Sequence, residues 1–352
     1  MAALARGPLL GIPGVPAALP GPADSDKSEW TLCDDVSSGL QTIVLAGAPQ
    51  LGPAISQLLS GEGLLASDGD TTYLIYDGKH ARVDMNSSAI TSALKVRGLR
   101  PRPIGAGLLN ATAGVPDLTL PAIPDAGAPG PVQLRNLAVG TVIQVDSITT
   151  ATLYVVLANG LQPLSPFAAE VLRSANSMGQ AAITVVAPDA ISELSVVKTL
   201  PVDQFPAERP RIVSADEQPV ACSYWSRDRG DTAGRLQLLV GKQAPLATTM
   251  RAVTLVGDGQ GESARAAYIP PSTGEFVQIT GIEPDSTRRE VLFFITDTGV
   301  RFGIPDTATA QTLGLSEPKL APWQIIAQLP AGPMLDRQSA LVAHDVVPTG
   351  TY

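Results

Sequence analysis

Three stretches of the chain carry nearly the same word. "TYLIYDGKHARVD" occupies 72–84, "LYVVLANGLQPLS" 153–165 and "LFFITDTGVRFGI" 292–304. In each, a β-prone run (Tyr73-Leu74-Ile75, Tyr154-Val155-Val156, Phe293-Phe294-Ile295) leads into a turn. The turns are Asp77-Gly78, Asn159-Gly160 and Asp297-Thr298-Gly299. Glycine after Asn or Asp supplies the positive φ that tight hairpins require. A short returning strand follows, carrying Val83, Leu164 or Ile304, and then a helix start. "NSSAITSALKV" (86–96) offers Asn86 or Ser87 as N-cap, "SPFAAEVLRSAN" (165–176) offers Ser165 with Pro166 next, and "PDTATAQTLGL" (305–315) offers Asp306 or Thr307, with Gly314 to end the helix.

A hairpin plus one helix buries little surface alone and needs neighbours. The copies are unevenly spaced, which argues against a solenoid and for satellites on a larger central sheet. Candidate strands for that sheet are 39–47, 140–148, 181–187, 235–241, 252–257 and 275–282, bounded by the proline-rich connectors 121–132 and 200–211. The expected organisation is an extended segment at 1–27, a central β domain in two parts (28–65 and 181–282), modules at 66–115, 130–180 and 283–335, and a tail at 336–352. The fold class is α+β, predominantly β. Composition agrees: 31 Pro and 33 Gly in 352 residues exceed the usual ~12% and favour turns and short strands over long helices.

The two cysteines stand in mirrored contexts, "WTLC" at 30–33 and "CSYW" at 222–225. Antiparallel pairing with Cys33 opposite Cys222 sets Trp30 opposite Trp225, a cross-strand aromatic pair beside a disulfide. The mirrored contexts favour that disulfide over two buried thiols, and with it an oxidising compartment. His80 and His344 lie away from the cysteines and there is no CxxC, so no zinc set is expected.

Other chemistry is sparse. The formal charge is −9, and "VRGLRPR" (96–102) and "RPRI" (209–212) are too short for a basic stripe, so nucleic acid is not an expected partner. Nothing approaches 18 consecutive apolar residues, and Pro8, Pro13 and Pro16 break up the start as a signal peptide. Gly241-Lys242 lacks the spacing and the Ser/Thr of a P-loop, and "GDGQGE" (257–262) lacks its lysine and reads as a hairpin loop. "SGEGLLASDGD" (60–70) lacks calcium-loop order and reads as a solvated loop. His80 reads as an exposed turn residue, and Asp297 with Arg301 as an ion pair across the third hairpin. No catalytic residue and no cofactor is assigned from the residues.

Taken together, "YLIYDGKHARVD", "LANGLQPLSPFAAEVLR", "CSYW" and "FFITDTGVRFGIPDTATAQTLGL" resemble the EccB family of mycobacterial type VII (ESX) secretion systems, from about Arg6 to Met334. The resemblance implies an elongated periplasmic domain, with a central β part held by one disulfide that maps onto Cys33 and Cys222. It implies four small repeats, similar to a phage lysin's cell-wall-binding part, of which three are visible. "ARGPLLGIPGVPAALP" resembles the linker after the first repeat, so that repeat and a transmembrane anchor are expected outside this chain. The implied partners are the complex components EccC, EccD and EccE, further copies of the chain, and peptidoglycan. Members are also described as ATPases, which would make ATP and Mg²⁺ the cofactors; the motor EccC is the more natural seat of hydrolysis. The leading expectation is a periplasmic scaffold of the secretion complex. An ATPase without a Walker motif and an independent peptidoglycan-binding module are the alternatives.

Overall fold

The computed structural model of the chain describes residues 9–10, 12, 26–147, 149–255 and 263–344. Contacts divide the chain into two units: 1–58 with 104–113 and 215–352, and 59–103 with 114–214.

The first unit is built on a seven-stranded sheet. Its order is Val253–Thr254, Ala266–Tyr268, Gln41–Ala46, Lys27–Asp35, Val220–Asp228, Arg235–Gly241 and Ile55–Gln57. Its two longest strands, Lys27–Asp35 and Val220–Asp228, pair antiparallel through all nine positions. Both are covered on two faces, so they run almost continuously buried and lack the clean alternation of a half-exposed strand.

Three of the expected central strands belong elsewhere. Val142–Asp146, Thr184–Val186 and Gly274–Thr280 pair within the modules, because each flanks a hairpin or its helix and sequence neighbours pair first. The repeated module is therefore larger than a hairpin plus a helix. In the first, Glu62–Asp68 leads into the hairpin Thr71–Tyr76 and Lys79–Arg82, then helix α1 (Ser88–Leu94). Arg102–Pro103 returns parallel to the lead strand, and a second helix, α2 (Ala106–Asn110), follows. The second module repeats this with Val142–Asp146, Ala151–Leu157, Gly160–Leu164, α3 (Pro166–Ala175), Thr184–Val186 and α4 (Pro188–Ile191). The third runs Gly274–Thr280, Leu292–Thr296, Arg301–Ile304, α5 (Thr307–Thr312), Lys319–Pro322 and α6 (Trp323–Ile326).

A trailing segment then closes the open edge of each hairpin at the same position. The carbonyl of His80 accepts from Val115 N at 2.9 Å, that of Leu161 from Val197 N at 2.8 Å, and that of Arg301 from Gly332 N at 2.9 Å. An edge strand covered in this way offers no free ladder for aggregation. The modules thus begin at 62, 142 and 274 rather than at 66, 130 and 283. Arg211–Ile212, expected in the central part, adds to the first module's sheet beside Glu62.

The first helices start where the caps direct. Ser87 Oγ accepts from Ile90 N, Ser165 Oγ from Ala168 N ahead of Pro166, and Asp306 Oδ1 from Thr309 N. In the second unit α1 packs on α3, burying Ile90, Leu94, Phe167 and Leu172 in one core. The third module has its own core around Phe276, Phe294 and Phe302. Of the expected end segments, Leu9–Leu10 pairs with Ala343–His344, and Ile12 packs partly against the third core. Most of 1–25, the loop at 257–262 and the tail from 345 lie outside the described residues. No helix among the described residues is long and apolar enough to cross a membrane.

Candidate functional site

Cys33 and Cys222 face each other in register and are joined by a disulfide with Cα atoms 4.0 Å apart. Both are buried, under Leu45, Ile55, Val220, Tyr224 and Leu239. Trp30 stands opposite Trp225, as the mirrored contexts predict, and both are 1% exposed. They do not pack beside the disulfide, however. Side chains alternate across a strand, so a spacing of three puts each Trp on the face opposite its cysteine.

That second face does a different job. Asp34, 1% exposed, accepts from Thr42 Oγ1 at 2.7 Å and from Gly105 N at 2.7 Å. Ser223 Oγ donates to the carbonyl of Ala111 at 2.7 Å. Together they bind the excursion 104–113 to the sheet. The available sequence signal was the first of the two aspartates that follow Cys33, which shares a strand face with Trp30 and Leu32.

The three turns differ. Asp77 and Gly78 both have positive φ (46° and 74°), so the first is the tight turn that the sequence predicts. In the second, glycine alone is required: Gly160 has φ 149°, and a Cβ there would come within 2.2 Å of the Ser195 carbonyl in the closing segment. Gly299, φ 81°, sits against Leu255 and Ala267, where a Cβ would meet both below 3.0 Å. The turns therefore do not present one shared surface.

Asp297 and Arg301 form no ion pair among the described contacts. Asp297 Oδ2 accepts from Ser272 N at 2.8 Å, and Arg301 Nε donates to the Leu329 carbonyl at 2.8 Å. The Arg301 guanidinium lies 5.5 Å from the Phe293 ring and 5.1 Å from Trp323, rings that stack 6.0 Å apart at 22°. Burial lowers its pKa. His80 is not an exposed turn residue: it lies in the returning strand, half-buried, edge-on to Tyr73 at 5.7 Å. A buried pair that sequence reasoning missed joins Lys319 Nζ to Glu275 Oε2 at 2.5 Å. Burial raises the Glu275 carboxyl above its usual range, against the opposing pull of Lys319.

Three clefts of the second unit bear on whether a Mg-nucleotide could be held. One of about 330 Å³ is bordered by Glu62, Asp77 and Glu208, with Tyr76, whose hydroxyl pKa is pushed up to about 12 by burial and then by Asp77. One of about 320 Å³ is bordered by Asp70, Asp84 and Asp117, with Arg82. The third, about 450 Å³, is an apolar groove beside α3. A triphosphate needs converging N–H groups and cations, and carboxylate-rimmed clefts repel it. None of these three clefts, as lined, offers such a cradle.

Comparison with known proteins follows the same outline. The family model described as "Type VII secretion system ESX-1, transport TM domain B" matches residues 1–349. The protein named ESX-3 secretion system ATPase EccB3 of Mycolicibacterium smegmatis is 38% identical over 98% of this chain and 69% of its own length. ESX-5 secretion system ATPase EccB5 of Mycobacterium tuberculosis is 33% identical over 99% and 72%. Among solved structures, a chain of the periplasmic assembly from the ESX-5 inner membrane complex aligns with TM-score 0.84 at 31% identity, covering 98% of this chain and 85% of that one. A chain of the EccB3 dimer from the ESX-3 core complex aligns with TM-score 0.79 at 37% identity, covering 96% and 87%.

Proposed function

The chain belongs to the EccB family of type VII secretion proteins, and from that premise we propose that it is a periplasmic scaffold of the secretion complex. One observation carries the reading: almost the whole chain, 98% of it, follows the backbone of a protein found in a periplasmic ESX assembly. What the residues build also suits a scaffold, namely a crosslinked sheet, closed hairpin edges and the packed first helices α1 and α3. Its partners on this reading are the membrane components EccC, EccD and EccE, and further copies of itself; peptidoglycan is a secondary contact. Chemical crosslinking in intact envelopes, followed by mass spectrometry, should recover peptides of this chain joined to those components. Recovery of none of them, with the chain well expressed, would sink the proposal.

The relatives' names favour a second reading, an ATPase. The clefts described above give it no phosphate cradle. Phosphate release from the purified chain with Mg-ATP is expected at the buffer rate. Turnover that saturates with ATP and follows the protein through a second column would reverse the order of the two readings.

A further inference from the structure

The first strand of each hairpin carries a partly exposed aromatic ring at the same place: Tyr73, Tyr154 and Phe293. In the third module a second ring and a cation join it. Trp323, the first residue of α6, stacks on Phe293, and the Arg301 guanidinium lies within 5.5 Å of both ring centres. Trp323 is 40% exposed, whereas Trp30 and Trp225 are sealed in the central sheet. Gly303 stands opposite Phe293, and its missing side chain leaves room for Met334, itself 49% exposed. The result is an apolar surface with a guanidinium set into it.

Arg301 is unusually placed for a cation in a chain of net charge −9. Its backbone N–H donates to the Pro330 carbonyl, its own carbonyl accepts from Gly332, and its Nε donates to the Leu329 carbonyl. The side chain is thereby fixed in direction. Its two Nη groups make no hydrogen bond and no ion pair among the described contacts. Burial lowers its pKa, with no carboxylate acting against that shift. The rings offset part of the burial by cation–π attraction, but they accept no conventional hydrogen bond from the fork.

A pre-oriented guanidinium fork without a counter-charge is matched by a carboxylate, which it binds through two parallel hydrogen bonds. The exposed indole beside it asks for a flat apolar face on the same ligand. An extended peptide cannot add to this strand edge, because the trailing segment already uses both backbone groups of Arg301. A pyranose ring bearing a carboxylate meets both demands: its C–H face is electropositive and complements the negative face of the indole. We propose that Trp323, Phe293 and Arg301 form a binding site for acidic saccharides, with the sugar ring on Trp323 and the carboxylate on Arg301. This rests on the envelope reading only for where such a sugar is met. Binding is scored on the purified chain and the scaffold by envelope crosslinking, so either can fail alone.

The test titrates the full chain with the disaccharide of N-acetylglucosamine and N-acetylmuramic acid, whose lactyl group carries a free carboxylate. The control is diacetylchitobiose, which has similar rings without the acid. Tryptophan fluorescence reports on Trp323, the exposed one of the three tryptophans, and saturation-transfer NMR reads the ligand itself. The expected result is saturable binding with a Kd of about 1 mM or below, and binding of the control about 10-fold weaker. Arg301→Gln should bind both disaccharides equally, a loss of preference that a merely structural role would not produce. Trp323→Ala should abolish the NMR signal and Trp323→Tyr should retain it, and the exposure of Trp323 keeps both variants folded. No binding of the acidic disaccharide up to about 10 mM would overturn the proposal. So would equal binding of the control by the native chain, binding unchanged in Trp323→Ala, or tighter binding of a short acidic peptide at the same residues.

Discussion

Lys27–Asp35 and Val220–Asp228 are held by nine residue pairs and by a covalent bond between positions 189 residues apart. The hairpins of the modules have no such bond. Each is held by a short capped helix on one face and by a trailing segment on its free edge. The difference follows from sequence separation. A module's strands lie within a few dozen residues, so closing it costs little chain entropy. The two central strands must meet across the whole of the second unit, and there a crosslink removes the most freedom from the unfolded chain.

The sharpest way to break this comparison is to remove the bond. Replacing both cysteines with alanine should cost about 5 kcal/mol by the loop-entropy account, read as a shift in guanidinium unfolding. Hydrogen exchange should show the loss in the central strands and not in α1 and α3. Equal loss in both would mean that the modules, too, depend on the crosslink.

The module side is tested next at Lys319 and Glu275. Lys319→Met leaves a buried carboxylate without its cation and should cost about 3–5 kcal/mol, whereas Lys319→Met with Glu275→Leu should be close to neutral. A double variant as unstable as the single one would show that the pair's geometry, not its burial, holds the third sheet together.

Local signals were legible in the sequence, and pairing partners were not. The hairpin turn at Asp77-Gly78, the caps Ser165 and Asp306, and the facing of Cys33 with Cys222 all rest on spacing within a few residues or on mirrored words. Gly274–Thr280 reads like any half-apolar strand, and nothing local says that it pairs with Leu292–Thr296 rather than with the central sheet. The trailing segments escaped for the same reason: Val115, Val197 and Gly332 contribute only a backbone N–H, which leaves no pattern in side chains. The placement of the tryptophans was a parity error, since the same spacing of three that aligns Trp30 with Trp225 separates both from the disulfide. Asp34 and Lys319 went unread because a charged residue in a strand looks exposed until its partner is known.

Smaller effects separate the modules from one another. Ser165 both caps α3 and donates to the Pro206 carbonyl at 3.0 Å, so Ser165→Ala should cost about 1 kcal/mol. Thermal melts would show it as a small decrease, confined by hydrogen exchange to the second unit.

The caps also predict which module responds to acid. Ser87 and Ser165 do not titrate, but Asp306 does, and the Thr309 N–H, bonded to its carboxylate, holds its pKa below the usual value. A carboxyl depressed in the folded state binds its proton less readily there than in the unfolded chain. Its contribution is therefore complete above the unfolded value of about 3.9 and is lost as pH falls below it. Asp306→Asn retains a cap acceptor without the titration. Between pH 7 and pH 3 the native chain should lose hydrogen-exchange protection in α5 more steeply than this variant, while α1 and α3 change alike in both. Equal acid sensitivity of α5 in the two proteins would mean that the Asp306 charge adds nothing to the hydrogen bond, and that the three caps, charged or not, are equivalent.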